Sequence, residues 1–243
     1  MSVTEIEAPP YAGPLPSVGT VAKLIDHSLL RPELTRDDVL AGLATAGEYD
    51  TASVCVRPAD VALAAAELRG SGVVVGTVVG FPHGSTTTAA KASETAELVA
   101  HGAGEIDMVI DIGRLREGDV AYVEDQIAAV VAAAGGRPVK VILENVFLTD
   151  ELKITGCQAA ERAGAAYVKT STGFAAGGAT AADIALMRRS VSPSVGVKAA
   201  GGVRTLDALL ALRDLGATRF GATTTAAMLD DLRRRLTGTA DAG

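Results

Sequence analysis

The sequence has 243 residues, 48% of them hydrophobic, which is enough for one domain with a large buried core. Aromatic residues make up only 3% and tryptophan is absent, so Val, Ile, Leu and Ala must fill that core, as is typical of a parallel sheet covered by helices on both faces. The formal net charge of −7 argues against a nucleic-acid partner, because such a partner requires a basic face. Two cysteines, Cys55 and Cys157, are too few for a disulfide framework or a structural zinc site.

Short apolar segments alternate with alanine-rich amphipathic segments along the chain. The predicted strands are residues 21–28, 51–56, 73–81, 105–113, 139–145, 167–171, 195–202 and 217–223. Helical segments follow them, for example residues 37–47, 86–102 and 120–135. Eight strands alternating with helices predict an α/β fold, a single-domain (β/α)8 TIM barrel. A doubly wound open sheet is the alternative, but that fold usually has a glycine-rich nucleotide turn after its first strand, and DHSLLRPE contains no glycine.

The two ends of the chain are expected to lie outside the barrel. Residues 1–20 are predicted to form a loosely held N-terminal arm, residues 21–235 the barrel, and residues 236–243 a C-terminal tail. No apolar stretch reaches the ~20 residues of a membrane span, and the first residues lack the pattern of a secretory signal. We therefore expect a soluble, cytoplasmic protein.

Two lysines near the ends of predicted strands are the most informative residues. Lys169 lies in AAYVKTSTGF and Lys198 in SVGVKAAGGVRT, and 198 − 169 = 29 positions separate them, about one strand–helix repeat. In a barrel, that spacing places two ammonium groups on adjacent strands, facing one cavity. Two buried like charges cannot both stay protonated cheaply, and a lysine that loses its proton can form a Schiff base with a carbonyl. The alternative is that both are ordinary strand-end lysines with solvated ammonium groups.

A carboxylate lies inside the apolar run IDMVI. This residue is Asp107, and Asp111 has the same parity and is expected to share its face of the strand. A buried carboxylate needs a partner, which the two lysines could supply. Its role is then either proton transfer in an amine-catalysed reaction or a structural ion pair.

Two small-residue loops follow the last two predicted strands. AAGGVRT spans residues 199–205 and GATTT spans residues 221–225, and each precedes a helix. Backbone amides in such loops bind anions together with the helix N-terminus, and the loops after strands seven and eight are the usual phosphate site of these barrels. Either loop alone is weak support, because Gly-Gly turns and threonine caps are common.

Metal ligands are not evident in the sequence. Asp26 and His27 are ligand-type residues, but His83 and His101 lie far from them in the chain and no further cluster supports a site. We therefore predict no metal and no other cofactor.

Several segments together resemble the 2-deoxyribose-5-phosphate aldolase family of class I (Schiff-base) aldolases. The matching segments are LIDHSLLRPELT, ASVCVRP, VVGFPHGSTTTAAKASETAELVAHGAGEIDMVIDIGRLREGD, VKVILENVFLTDEL, AGAAYVKTSTGF, VKAAGGVRT and RFGAT. They run in family order from about residue 21 to residue 235, and VKTSTGF and VKAAGGVRT are the most specific of them.

The resemblance implies a (β/α)8 barrel that reversibly cleaves 2-deoxy-D-ribose 5-phosphate to acetaldehyde and D-glyceraldehyde 3-phosphate. By the family pattern Lys169 forms the Schiff base, Lys198 lowers its pKa and Asp107 takes part in proton transfer. The residues implied around the substrate and its phosphate are Cys55, Thr172, Gly173, Gly201, Gly202, Val203, Arg204, Gly221, Thr223 and Thr224. The resemblance also makes a homodimer plausible. From the residues alone, a non-catalytic sugar-phosphate binder or a barrel sugar-phosphate isomerase remains the alternative.

The sequence departs from the family pattern at three places. Thr223 and Thr224 stand where serines are common, and Asp111 stands where members often carry asparagine. Some members end in a functional tyrosine, whereas this chain ends in Asp241-Ala242-Gly243.

Overall fold

The computed structural model describes residues 6–238 and shows a closed barrel of eight parallel strands in chain order. The strands are β1 Ile25–Leu29, β2 Ser53–Val56, β3 Val74–Val79, β4 Glu105–Val109, β5 Val139–Ile142, β6 Tyr167–Lys169, β7 Gly196–Ala200 and β8 Arg219–Ala222. Pairing of β1 with β8 closes the sheet, so the predicted TIM barrel is confirmed and the open doubly wound sheet is excluded.

Helices surround the barrel, one before the first strand and the others between and after the strands. The described α-helices are α1 Val18–Ala22, α2 Arg36–Glu48, α3 Val61–Glu67, α4 Thr88–Ala100, α5 Ile112–Arg116, α6 Val120–Ala133, α7 Asp150–Arg162, α8 Ala181–Ser190, α9 Leu206–Asp214 and α10 Thr225–Thr237. Short 3₁₀ turns, Pro58–Asp60 and Asn145–Phe147, follow β2 and β5. Threonine side chains cap the N-termini of five helices, which satisfies amide groups that would otherwise lack partners. These caps are Thr35, Thr87, Thr149, Thr180 and Thr205.

Strand register sets which side chains meet inside the barrel. Lys169 of β6 pairs with Lys198 of β7, and Asp107 of β4 pairs with Lys140 of β5. Because side chains alternate between the two faces of a strand, paired residues point to the same side of the sheet. The register therefore directs three lysines and a carboxylate from four consecutive strands toward the barrel axis.

The N-terminal segment is held more firmly than the sequence indicates. Helix α1 begins at Val18, ahead of the predicted barrel boundary at residue 21, and packs against α10. Upstream, the amide of Tyr11 donates to Asp207 at 2.8 Å and its hydroxyl donates to Asp214 at 2.8 Å. The expectation of a loose arm over residues 1–20 is therefore wrong for this part of it, while residues 1–5 lie outside the described residues.

Most predicted strands extend too far toward their carboxyl ends. β4 ends at Val109 rather than residue 113, and β5 ends at Ile142 rather than residue 145, because capped helices or 3₁₀ turns begin there. At the other end of the chain, α10 continues to Thr237, so the predicted tail from residue 236 begins inside a helix, and residues 239–243 are not described. Among residues 6–238, no helix is both long and apolar enough to cross a membrane.

Candidate active site

A network of buried charges occupies the centre of the barrel. Lys198 Nζ lies 2.5 Å from Asp26 and 2.7 Å from Asp107, and Lys169 Nζ lies 2.7 Å from the same oxygen of Asp107. Lys140 Nζ contacts Asp26 at 2.9 Å, Glu105 at 2.5 Å and Asp107 at 3.1 Å. Asp107, with no solvent exposure, is therefore surrounded by three lysines.

A guanidinium completes the network on the side where the strands begin. Arg219 donates to Asp26 at 2.8 Å and to Glu105 at 3.2 Å, and it stacks over the ring of Tyr167. Both Asp26 and Glu105 thus bridge Arg219 and Lys140. The network therefore extends through the barrel interior to the end where the strands begin.

The charges of this network balance only if one basic group is neutral. Its seven residues comprise four basic groups, Lys140, Lys169, Lys198 and Arg219, and three carboxylates, Asp26, Glu105 and Asp107. An uncompensated charge in a barrel interior costs several kcal/mol, which favours release of one proton. Lys169 has a single carboxylate contact, whereas Lys140 has three and Lys198 has two, so Lys169 is the group that loses its proton most easily.

The pKa values shift in the directions that this arrangement requires. Burial lowers the pKa of Lys169 and the neighbouring Lys198 lowers it further, against the opposing attraction of Asp107. Burial would also lower the pKa of Lys198, but its two carboxylate partners overcome this and raise it. Burial would raise the pKa of Asp107, yet the three lysines hold it well below the ordinary range, so this carboxylate stays ionised.

A cavity of about 360 Å³ opens over the carboxyl ends of β6, β7 and β8 and reaches the network at Lys169. Its lining residues are Ser28, Leu30, Arg31, Pro32, Glu33, Lys169, Thr172, Gly173, Phe174, Ala200, Gly201, Gly202, Val203, Arg204, Gly221, Ala222 and Thr223. Of the seven network residues, Lys169 alone lines the cavity. The amine with the lowered pKa is therefore the one that a bound molecule can reach.

The predicted phosphate loops lie together on one wall of this cavity. Gly201 and Gly202 both have positive φ, at 83° and 86°, a conformation that side chains with a Cβ rarely adopt. Across the wall, a Cβ on Gly221 would lie 3.3 Å from Ala200 and 3.6 Å from Cε of Lys198, so the glycine leaves space beside that lysine. The loops lead into α9 and α10, whose N-termini favour an anion.

Most of the predicted substrate residues line the cavity, and two do not. Thr223 lines it, whereas Thr224 does not, and the Thr224 hydroxyl donates to the Arg204 carbonyl at 2.8 Å, joining the two loops. Cys55 is buried in β2 near the network, and burial raises the pKa of its thiol to about 11. This thiol is protonated at neutral pH and does not line the cavity.

Asp111 does not share a face with Asp107, contrary to the parity argument. β4 ends at Val109, and Asp111 instead caps α5 by accepting from the amide of Arg114 at 3.1 Å. Side chains alternate between two faces only within a strand, and Asp111 lies beyond the end of β4.

Asp26 and His27, the two residues considered as metal ligands, also point apart. Asp26 joins the network, while His27 contacts the hydroxyl of Thr225 at 2.8 Å.

Sequence reasoning missed four members of the network and part of the cavity wall. Lys140 carries a signal that could have found it, since 169 − 140 = 29, the same interval that separates Lys169 from Lys198. Arg31 lines the cavity and forms a long ion pair, 3.5 Å, with Glu33.

Within residues 6–238, no group of three or more His, Cys, Asp or Glu side chains is arranged to hold a metal ion.

Comparison with known proteins agrees with the aldolase-type site. A family model described as DeoC/LacD family aldolase matches residues 20–228. The chain belongs to this aldolase family. It is 53% identical over 208 residues to a deoxyribose-phosphate aldolase of Streptococcus suis, covering 86% of this chain and 94% of that relative. Its identity to the deoxyribose-phosphate aldolase of Bacillus mycoides is 52% over 210 residues, with the same coverage.

A solved structure of an aldolase also matches the chain, at lower sequence identity. The tetrameric deoxyribose phosphate aldolase of Aeropyrum pernix matches the aldolase described here with a TM-score of 0.83 and 28% identity, covering 89% of this chain and 92% of that chain. The predicted family, barrel and aldolase class are thereby confirmed. The roles of individual side chains in this aldolase stay predictions.

Proposed function

We propose that this chain reversibly cleaves 2-deoxy-D-ribose 5-phosphate to acetaldehyde and D-glyceraldehyde 3-phosphate through a Schiff base on Lys169. The observation that carries the proposal is the position of Lys169, the basic group in excess of the carboxylates and the one at the cavity floor. A lysine amine that is neutral and accessible is a nucleophile toward an aldehyde.

The proposed reaction begins at the aldehyde of the open-chain sugar. Lys169 Nζ attacks C1, and loss of water gives an iminium ion. The bond between C2 and C3 then breaks, its electron pair moves toward the iminium, and C3 becomes the aldehyde carbon of D-glyceraldehyde 3-phosphate as its hydroxyl loses a proton. The remaining enamine gains a proton at C2, and water releases acetaldehyde and the free amine.

Asp107 and Lys198 are the groups placed to move these protons. Asp107 Oδ2 lies 2.7 Å from both lysine nitrogens, so it bridges the nucleophile and the ammonium of Lys198. Because its pKa is held low, Asp107 stays ionised, and we assign it the role of a relay between the two amines rather than of a proton store.

The loops at Gly201–Gly202 and at Thr223 are proposed to hold the phosphate. They offer backbone amides and a hydroxyl beside two helix N-termini, and Arg31 and Arg204 line the same cavity. Phe174 lines the cavity without supplying a cation, so the amides and these arginines must provide the binding energy.

We also propose that the chain forms a homodimer and is located in the cytoplasm. Both statements stay predictions.

Phosphate recognition gives a direct test of this function. Hydrogen bonds to a charged group contribute about 1.5–3 kcal/mol each, so two of them would favour 2-deoxyribose 5-phosphate over 2-deoxyribose by at least about 100-fold in kcat/KM. Gly202→Asp should remove most of that preference by repelling and obstructing the phosphate. The measurement is the ratio of kcat/KM for the two sugars in both proteins.

Gly70→Asp is the matched control for this substitution. Gly70 also has positive φ, 81°, and a Cβ there would meet nothing within 4 Å, so the control imposes a similar backbone strain away from the cavity. It should keep the wild-type ratio. A wild-type ratio near one, or an unchanged ratio in Gly202→Asp, would place the phosphate elsewhere. A barrel isomerase or a passive sugar-phosphate binder, neither of which the family favours, would release no acetaldehyde at all.

A further inference from the structure

Glu144 has an unusual backbone at the mouth of the barrel. It follows β5 with φ 57° and ψ 65°, the left-handed region that residues other than glycine rarely occupy. Its neighbours on both sides are bound to the end of β6 and the residue after it. The amide of Leu143 donates to the Lys169 carbonyl and that of Asn145 to the Thr170 carbonyl, each at 3.0 Å. Backbone conformations of this kind are often retained at functional sites.

This backbone turns the Glu144 carboxylate toward Thr172. The amide of Thr172 donates to both carboxylate oxygens, at 3.3 Å and 3.2 Å, and the Thr172 hydroxyl donates to Oε2. Glu144 is only 2% exposed, so these contacts replace the water it has lost. The carboxylate and the threonine form a buried pair directly beyond Lys169.

The pair fixes the direction in which the Thr172 hydroxyl can donate. The hydroxyl proton goes to Glu144, and one of the two oxygen lone pairs accepts from the amide of Phe174 at 3.0 Å. One lone pair is left, and Thr172 lines the same cavity as Lys169 and the glycine-rich wall. Toward a bound molecule, a hydroxyl held in this way can therefore only accept a hydrogen bond.

We propose that Glu144 is a positioning residue that makes Thr172 an acceptor toward the cavity, and that the pair thereby selects an aldehyde carrying a hydroxyl beside its carbonyl. This inference rests on the proposed function and deepens it by naming a feature of the acceptor. In D-glyceraldehyde 3-phosphate, that hydroxyl lies between the reacting carbon and the phosphate, and Thr172 lines one cavity with Lys169 and the proposed phosphate loops.

The test uses aldol addition of acetaldehyde to two phosphorylated acceptors of equal length. One is D-glyceraldehyde 3-phosphate and the other is 3-oxopropyl phosphate, which lacks the hydroxyl. One hydrogen bond corresponds to roughly a 10-fold preference in kcat/KM for the hydroxylated acceptor. Thr172→Val, which keeps the shape but removes the oxygen, should bring the ratio close to one.

Glu144→Gln separates the carboxylate from the threonine. A glutamine amide presents a donor where the carboxylate only accepts, so the hydroxyl of Thr172 no longer has to donate away from the cavity and the preference should fall. Adding Glu144→Gln to Thr172→Val should lower the ratio no further, because the two residues act through one contact. Thr172→Ser should restore the preference. Thr35→Val, which removes a remote helix cap, should leave the ratio unchanged.

The outcomes separate this inference from the proposed function. A wild-type protein that adds acetaldehyde to neither acceptor would remove the function itself. An active enzyme in which Glu144→Gln folds, as checked by circular dichroism, and keeps the wild-type ratio would overturn the role of Glu144 alone. If Glu144→Gln does not fold, Thr172→Val decides, since a wild-type ratio in that variant also overturns the proposal.

Discussion

Lys198→Leu is expected to raise the pKa of Lys169 and to lower turnover at neutral pH by about 100-fold or more. The reason is the charge count of the network. Without Lys198, three basic groups face three carboxylates, so the network balances only when Lys169 keeps its proton. Asp107, freed from one partner, also attracts the Lys169 ammonium more strongly.

The measurement for Lys198→Leu is the pH dependence of kcat/KM. The reaction needs the neutral amine, so the rate rises with pH through the pKa of Lys169, and a raised pKa moves this rising limb to higher pH. Lys23→Leu is the control, because Lys23 pairs with Asp50 on the surface and contacts no network residue, and its profile should match the wild type. A wild-type profile in Lys198→Leu would show that Lys198 does not act through its charge.

Asp107→Asn is expected to move the rising limb of the pH dependence to lower pH, opposite to the effect of Lys198→Leu. Turnover should fall by about 10²–10⁴-fold. An asparagine at this position would keep the shape but no longer attract the Lys169 ammonium, so the pKa of Lys169 falls further and the rising limb moves to lower pH. Turnover falls because the acceptor that links the two amine nitrogens is lost.

Stability must be measured with Asp107→Asn, because three lysines lose their shared partner. Loss of one member of a buried ion pair costs about 3–5 kcal/mol, and we expect a lower but cooperative melting transition. A folded variant with near wild-type turnover would make Asp107 a purely structural residue. A rising limb that moves to higher pH would contradict the proposed attraction between Asp107 and the Lys169 ammonium.

The fold could be predicted, and Lys169 proposed as the nucleophile, because both leave local patterns. Apolar runs alternating with amphipathic segments suffice for eight strands, and the 29-residue interval between Lys169 and Lys198 is one repeat of that pattern. Strand ends were less predictable. Apolar side chains continue past the last strand hydrogen bond, as in IDMVIDIG, where residues after Val109 enter the capped helix α5.

Apart from Lys140, which the 29-residue interval could have indicated, the rest of the network could not be predicted because it depends on contacts across the barrel. Asp26 and Lys140 are 114 residues apart in sequence and meet only when the sheet closes. Arg219 lies where β8 begins, the end opposite to the one where chemistry is expected in this fold. Glu144 could not be predicted either, since no sequence pattern signals a left-handed glutamate.

Reductive trapping shows directly whether Lys169 is the nucleophile. The protein is incubated with acetaldehyde and borohydride, and peptides are mapped for N-ethyl-lysine. Lys91 is an internal control, because burial lowers its pKa to about 8 although it lies outside the cavity and donates to the carbonyls of Gly84 and Val109. We expect labelling at Lys169, with Lys91 and Lys198 unmodified. Labelling at Lys198 instead, or cleavage activity without any label at Lys169, would contradict this expectation.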